Sequence, residues 1–489
     1  MAGRGRTLLN NLGWNGLGQA TALVLGVALL PGVVKSLGPG PYALYAFVGL
    51  LGGYAVLLTL GGGDVTVRVL SEARASGDRG RVGEALGTAL GHHLLGAAAA
   101  VALLWGARGF FAGRLLAVPP ELADEAAVVF AAAALAAAGL CLIQGGLAVL
   151  QGCQRFAAST VIGTLRTVLP LAGSWVILAR GGGLSDVAWW LAAAYLGMAA
   201  LVTVVAAVVL GQEGLLARPS FGLNPGNLGF AVLAWLSQLA WSVLFQGDRL
   251  VLGAFVALDD LGYYMVPVAV AQYFQVFGVS VAGVIMPAVS ELAQLGRAAD
   301  IRRVYLLGSR FLLWLALPVF TLAAVLAPHV LTLWLAPEFA ERGGHVLRVL
   351  LLAQLAYLAA AMPFALDAGT AQGRVRFTAV SMSAALAFAL WLVVAPRWGA
   401  LGGLLPGALP GPSRPRAPGL GRVSGLGLGR PRALRGGLRR RRLAPALAGL
   451  RPGRARHGLR LRERGLPRLR AVGVARSRPA RGAGGVERV

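Results

Sequence analysis

The sequence predicts an all-α polytopic membrane protein. Two six-helix lobes are related as parallel repeats, the second is incomplete so that about eleven spans are supplied in all, and a disordered Arg-rich tail follows. Three observations carry this reading. The 489 residues are 57% hydrophobic and only 13% charged, a composition of chains embedded in lipid rather than of soluble domains. Apolar runs of roughly 20 residues, the length a helix needs to cross the hydrocarbon core, recur with short polar breaks between them. The interval from Trp14 to Tyr42 is the same as that from Trp235 to Tyr263, as an internal duplication requires.

Taken in order, the predicted spans are about 12–34, 41–62, 84–105, 126–148, 157–178, 187–210, 227–256, 262–288, 304–334, 345–368 and 377–396. The seventh and ninth are long, and Pro318 marks a kink site in the ninth. Domain boundaries follow: an N-terminal lobe at 1–210, a linker at 211–226, a C-terminal lobe of about five helices at 227–401, and the tail at 402–489. Arg4 and Arg6 precede the first apolar run without a small-residue cleavage site, so that run is read as a first span and not a removed signal. With the N-terminus inside, the inner connections carry thirteen basic residues and the outer ones six, the bias that sets topology. The expected location is therefore the cytoplasmic (inner) membrane, multi-pass, with a cytoplasmic N-terminus. The inner connections also repeat: Ser71–Arg79 follows the second span and Ser290–Arg297 the eighth. Six helices before the linker make both copies start inside, and sites in transporters with such parallel repeats lie between the lobes near the midplane.

The most informative stretch is Trp241 to Tyr264, where Asp248 and Arg249 interrupt a segment otherwise suited only to hydrocarbon. A charge at bilayer depth costs about 2.5–3.5 kcal/mol on insertion scales and is normally turned toward a partner or a wet cavity. Three spans carry polar residues at helical spacing: Asn11, Asn15 and Gln19 in the first; Gly163, Arg166, Thr167, Pro170 and Ser174 in the fifth; Gln238, Ser242, Gln246 and Arg249 in the seventh. Such strips line a hydrophilic cavity or supply interhelical hydrogen bonds. Asp248 and Arg249 could bind substrate, couple ions or pair with other helices; adjacent residues on a helix point about 100° apart and need not pair with each other. Arg166 carries a planar, permanent charge suited to phosphate. Asp367 reads as a gate or interface residue near the inner end of the tenth span.

Enzymatic chemistry finds no support. No phosphate loop, HExxH or serine elbow is present, and the glycine runs at 61–63 and 181–183 read as turns. Cys141 and Cys153 form no metal or disulfide pattern, and adjacent His92 and His93 do not share a helical face. No cofactor is expected. The net charge of +26 is concentrated: residues 402–489 hold 22 Arg against Glu463 and Glu487, or +20, leaving +6 for residues 1–401. Nucleic acid is not an expected partner of that membrane part.

Several phrases resemble the polysaccharide-transport, or O-antigen flippase, family of the multidrug/oligosaccharidyl-lipid/polysaccharide exporter superfamily. They are Leu150-Gln151-Gly152-Cys153-Gln154-Arg155-Phe156, Gly247-Asp248-Arg249-Leu250-Val251-Leu252-Gly253, Leu261-Gly262-Tyr263-Tyr264, Glu338-Phe339-Ala340 and Val346-Leu347-Arg348-Val349-Leu350-Leu351. The resemblance covers about residues 5–400. It implies two six-helix lobes, a central cationic cavity, and transfer of a lipid-linked oligosaccharide from the inner to the outer leaflet for cell-surface polysaccharide (lipopolysaccharide) biosynthesis. The implied partners are a polyprenyl-diphosphate-linked oligosaccharide, membrane lipids, and a polysaccharide polymerase or glycosyltransferase. On that reading Arg166 and Arg249 meet the diphosphate, Asn11, Asn15, Gln19, Gln238 and Gln246 face the polar route, and Asp248 couples or gates. A cation-coupled multidrug exporter of the same superfamily is the alternative, but it calls for acidic residues deep in the N-terminal lobe, which are absent mid-helix. A non-transporting scaffold would use the polar strips for packing alone. Family members have twelve or fourteen helices, and this chain supplies eleven.

At residue 402 the composition breaks. The last 88 residues lack Lys, Phe, Tyr, Trp, Ile, Asn, Gln, Asp, Thr, Met and Cys. Arg, Gly, Pro and Ala, which have all-G/C codons, dominate, as expected of a GC-rich gene read out of frame. Eleven spans also leave this Arg-rich tail outside, against the positive-inside bias. A frameshift near codons 400–407 is the expected cause, which would leave a truncated, poorly folding product. A genuine disordered tail binding RNA or anionic lipid is the alternative.

Overall fold

The computed structural model describes residues 2–76, 79–116, 118–215, 217–221, 225–275, 285, 289, 292–293, 295–369 and 373–402. These residues form helices and short connections, with no strand among them. In order the helices are α1 (Ala2–Leu37), α2 (Pro39–Ala55), α3 (Gly62–Ser76), α4 (Arg79–Phe110), α5 (Ala123–Gly152), α6 (Phe156–Ala179) and α7 (Leu184–Glu213). They continue with α8 (Pro225–Gly253), α9 (Leu258–Tyr273), α10 (Ala298–Trp334), α11 (Pro337–Gly369) and α12 (Gly373–Gly402). Nine helical stretches among the described residues are long and apolar enough to cross a membrane. Each falls on a predicted span. The eighth span, 262–288, runs into residues outside the described set, and the tenth, 345–368, falls on α11. The tail beyond residue 402 lies outside it as well.

One expectation is corrected. The second span does not end in an inner loop at Ser71. After α2 the chain tightens into a 3₁₀ turn at Val56–Thr59, and Leu60 and Gly61 take left-handed φ of 51° and 74°. The chain then restarts as α3, which carries Ser71 to Ser76 as helix. The polar composition that reads as a loop is that of an amphipathic helix stabilised by the Arg68–Glu72 pair at i, i+4, 2.7 Å apart. The His pair behaves as its spacing requires: His93 is buried with Nδ1 3.1 Å from the Cys141 carbonyl, while His92 is half-buried on another face.

The packing follows from residue size. α5, rich in Ala and Gly, is the most buried span and packs against α7, α4, α2 and α3. Helix association in lipid has no hydrophobic drive and depends on close approach of small residues. α1 lies on α6. In the second group α10 packs on α11, α8 on α12 and α11 on α9, while α2 meets α9 and α3 meets α8.

Two prolines inside helices, Pro31 and Pro328, are matched by donors from other helices. A proline cannot donate to the carbonyl four residues back, and an orphaned carbonyl in lipid is costly. Pro31 frees the carbonyl of Val27, and Trp334 of α10 donates its Nε1 proton to it at 3.0 Å. Pro328 frees the carbonyl of Ala324, and Arg348 of α11 donates from Nε at 3.1 Å. α10 thus passes through Pro318 and Pro328 as one helix.

Candidate functional site

A cavity of about 350 Å³ opens where α2, α7, α8 and α9 come together. Each helix supplies residues at helical spacing, so each shows the cavity one face. α2 gives Tyr42, Tyr45 and Gly49; α7 gives Leu191 and Tyr195; α8 gives Gln246 and Arg249; α9 gives Met265, Val268, Ala269 and Gln272. Pro39 and Pro41 start α2, the first at its N-terminal turn, where a missing amide is harmless. Tyr195 is set by the close approach of α7 to α5: a Cβ on Gly139 would come within 2.7 Å of the Tyr195 backbone. Tyr42 and Tyr45 form a near-stacked pair, ring centroids 5.9 Å apart at 28°.

Arg249 is the single charged residue among the described residues that line this space. Its side chain is 13% exposed. Its Nη2 donates to the Phe245 carbonyl one turn back at 3.2 Å, whereas its Nε is buried with no hydrogen-bond partner. The neighbouring carboxylate does not serve it. Asp248 Oδ1 lies 3.9 Å from Nε, at the limit of an ion pair, and makes no hydrogen bond. The other oxygen, Oδ2, accepts a 2.5 Å hydrogen bond from the Tyr264 hydroxyl. The result is a buried cation that lines a cavity, beside an acid already held by a phenol.

The two ends of the cavity are crossed by contacts between the two groups of helices. At the α1–α2 turn, α9 approaches so closely that a Cβ on Gly262 would fall on the Pro39 carbonyl, and one on Gly40 on the Asp259 carboxylate. These are the two Leu-Gly segments that the sequence expectation pairs, here meeting at Gly262 and Pro39. Toward the opposite end Tyr54 donates to the Ser242 carbonyl at 3.3 Å and Trp235 to the Leu57 carbonyl at 2.8 Å. Arg68 lies over the Phe230 ring, 4.7 Å from its centroid.

Of the residues singled out in the sequence, Gln246 and Arg249 line the cavity. Arg166 is half-buried and does not line it. Two turns along the same strip of α6, Ser174 is buried and donates to the Pro170 carbonyl at 2.7 Å. Asp248 is taken by Tyr264. Gln19 and Gln238 are half-buried and do not line the cavity. The side chains of Asn11, Asn15 and Asp367 lie outside the described residues. The tyrosines and Gln272 were not singled out, although Tyr42, Tyr45 and Gly49 at i, i+3 and i+7 are a legible stripe. No group of three or more metal-binding side chains occurs among the described residues.

Residues 120–342 match the model of a family described as polysaccharide biosynthesis protein, and four of the five quoted phrases fall inside that range. No curated protein matches the chain. Among solved structures, the chain is similar to the lipid II flippase MurJ in an inward closed conformation, at TM-score 0.66 and 11% identity, covering 80% of this chain and 83% of that one. It is also similar to an inward-facing multidrug resistance MATE family transporter of the MOP superfamily, at TM-score 0.61 and 15% identity, covering 79% and 93%. A MOP superfamily transporter from Pyrococcus furiosus gives TM-score 0.57 and 14% identity, covering 81% and 89%. At such identities the likeness is one of fold. The expected superfamily fold and the all-helical membrane architecture are thereby borne out. The chain is a multi-pass membrane protein with the fold of flippases and exporters.

Proposed function

We propose that this chain, matched to a polysaccharide-biosynthesis family and folded like a lipid flippase, moves a lipid-linked oligosaccharide from the inner to the outer leaflet. The apolar tail stays in the bilayer while the headgroup crosses between the two groups of helices. The observation that carries this reading is Arg249: a buried guanidinium lining a cavity that holds no carboxylate among its described lining residues. Such a site selects an anion, and a guanidinium fork suits phosphate oxygens. A cation-coupled drug exporter would want the opposite polarity at this point.

In this scheme the diphosphate meets Arg249, with Arg166 as a second cation on the route. Gln246 contacts sugar hydroxyls in the cavity, and Asn11, Asn15, Gln19 and Gln238 do so along the route to it. Asp248, tethered by Tyr264, gates access to Arg249. The membrane is the cytoplasmic one with the N-terminus inside, and the acceptor of the flipped lipid is a polymerase or glycosyltransferase. The lobes are proposed at 1–210 and 227–401, joined by 211–226. Residues 402–489 are proposed to be an out-of-frame product.

The test is reconstitution of the full chain in proteoliposomes with a fluorescent polyprenyl-diphosphate saccharide, following its exposure to an impermeant quencher. Protein-dependent exposure that is lost in Arg166→Ala and Arg249→Ala supports the proposal. Exposure equal to that of empty liposomes contradicts it.

A further inference from the structure

The segment that joins α7 to α8 reads in the sequence as a linker over 211–226, yet much of it is fastened down. Gly214 closes α7 with a left-handed φ of 66°. Leu215 is then buried at 7% exposure among Leu70, Leu86, Leu150 and Leu210. Further on, the chain crosses α4. The Ser220 amide donates to the Gly87 carbonyl at 2.8 Å. A Cβ on Gly87 would fall on the Arg218 carbonyl, and one on Gly91 on the Ser220 carbonyl. We infer that Ala217–Phe221 is a strap docked on α4, which leaves only the three residues 222–224 as the tether to α8. This short tether limits how far the two groups of helices part at the cavity end crossed by Tyr54 and Trp235. The inference rests on the proposed movement of those groups and adds the element that bounds it.

The local sequence suits a docked strap. Gly87 and Gly91 lie four residues apart and so share one face of α4. Both are buried, although Arg218, Pro219, Ser220 and Phe221 across them are exposed. The strap is therefore held by its backbone, and glycine is the residue that lets a backbone come this near. Pro219 fixes its own φ and keeps Arg218 out of the helical region, so the segment has less freedom to lose on docking. The reach of the tether follows from chain geometry. Phe221 and Pro225 are four Cα steps apart and can separate by at most about 13–14 Å. With the strap lifted, the ten steps from Leu215 to Pro225 would allow about 33–36 Å. α8 begins at Pro225 and carries every contact that crosses this end: Phe230 beneath Arg68, Trp235 bonded to the Leu57 carbonyl, and the Ser242 carbonyl bonded to Tyr54. The tether thus holds the start of the helix that must swing away for this end to open, and α4 is its anchor.

Distances between spin labels on cysteines placed at Ser71 of α3 and Leu228 of α8, both exposed, test the inference. They are measured by pulsed electron resonance on the full chain in proteoliposomes, with and without a polyprenyl-diphosphate saccharide. Gly91→Ala puts a methyl where the Ser220 carbonyl lies, while suiting α4 as a helix. Hydrogen exchange at the Ser220 amide should then rise by about tenfold or more as its bond to Gly87 is lost. The longest label distance should grow by about 5 Å or more. A Gly-Ser-Gly-Ser-Gly-Ser insertion after Phe221 lengthens the tether with the notch intact. It should give the same longer distance with Ser220 still protected, and it carries the test alone should Gly91→Ala not fold. If the wild type passes between two distances and the insertion leaves the longer one unchanged, the strap does not set the limit, and the flippase reading stands. If no protein, wild type included, shows a second distance, the movement itself is refuted, and the flippase reading falls together with the strap.

Discussion

Tyr264 donates a 2.5 Å hydrogen bond to Asp248, sixteen residues back on the preceding helix, and so keeps one oxygen of that carboxylate from turning to Arg249. The acid and the base are adjacent in sequence, yet the acid spends its better contact on a phenol. This division leaves the guanidinium available to a ligand.

Removing the phenol hydroxyl should therefore weaken ligand binding from a distance. In Tyr264→Phe, Asp248 is released to pair with Arg249, and affinity for a polyprenyl diphosphate should fall by about tenfold or more, the scale of one hydrogen bond to a charged group. Adding Asp248→Asn removes the competing charge and should restore binding. Titration of both variants decides it, and a double variant no better than Tyr264→Phe would reject this division of roles.

Gly262 faces the Pro39 carbonyl with no room for a Cβ. In Gly262→Val the α1–α2 turn and α9 cannot meet, so that end of the cavity should stay open. Labelling of a cysteine placed at Gly49 by an impermeant maleimide should accelerate, and transport should be lost while insertion is kept. Native Cys141 and Cys153 are buried and should contribute little background. An unchanged labelling rate would mean that this contact does not control access.

Arg348 serves a carbonyl that Pro328 leaves without its amide. Arg348→Met should lower stability in detergent by about 0.6–1.7 kcal/mol, the measured range of interhelical hydrogen bonds in lipid. In a Pro328→Ala background the helix supplies its own amide, and the same change should cost less. A double-mutant cycle on thermal unfolding measures the coupling; additive effects would show that the two residues act independently.

The composition break at residue 402 makes a prediction about the gene. Resequencing across codons 390–489 should show that another frame encodes further apolar spans from about residue 402. Stops in both other frames, or a full-length product that inserts stably and complements a flippase-deficient strain, would establish the Arg-rich tail as genuine.

The spans were legible because length and apolarity suffice to define a membrane crossing, and Pro120–Gly152, with mean hydropathy 2.5, needs nothing else. α3 was missed because Ser71–Arg79 is as polar as a loop. Its helicity comes from the restart at Gly61 and its packing on α4, α5 and α8, which no local pattern encodes. Arg249 was legible as a charge out of place. The tyrosines around it were not, because a tyrosine in an apolar span looks the same whether it faces lipid, core or cavity. Tyr195 belongs to the site only because Gly139 lets α7 approach α5, a contact 56 residues apart in the chain. The role of Tyr264 as keeper of Asp248 was equally out of sight, since α8 must fold back on α9 before the two meet.

The account stands or falls on Arg249 as the anion site. The most direct measurement is the Kd of a sugar-bearing polyprenyl diphosphate, and of the neutral polyprenol, for the full chain and for Arg249→Ala in the same detergent. Loss of a charge-assisted contact should weaken the diphosphate by about tenfold or more and leave the polyprenol unchanged. Equal diphosphate affinity in the two proteins would contradict the account.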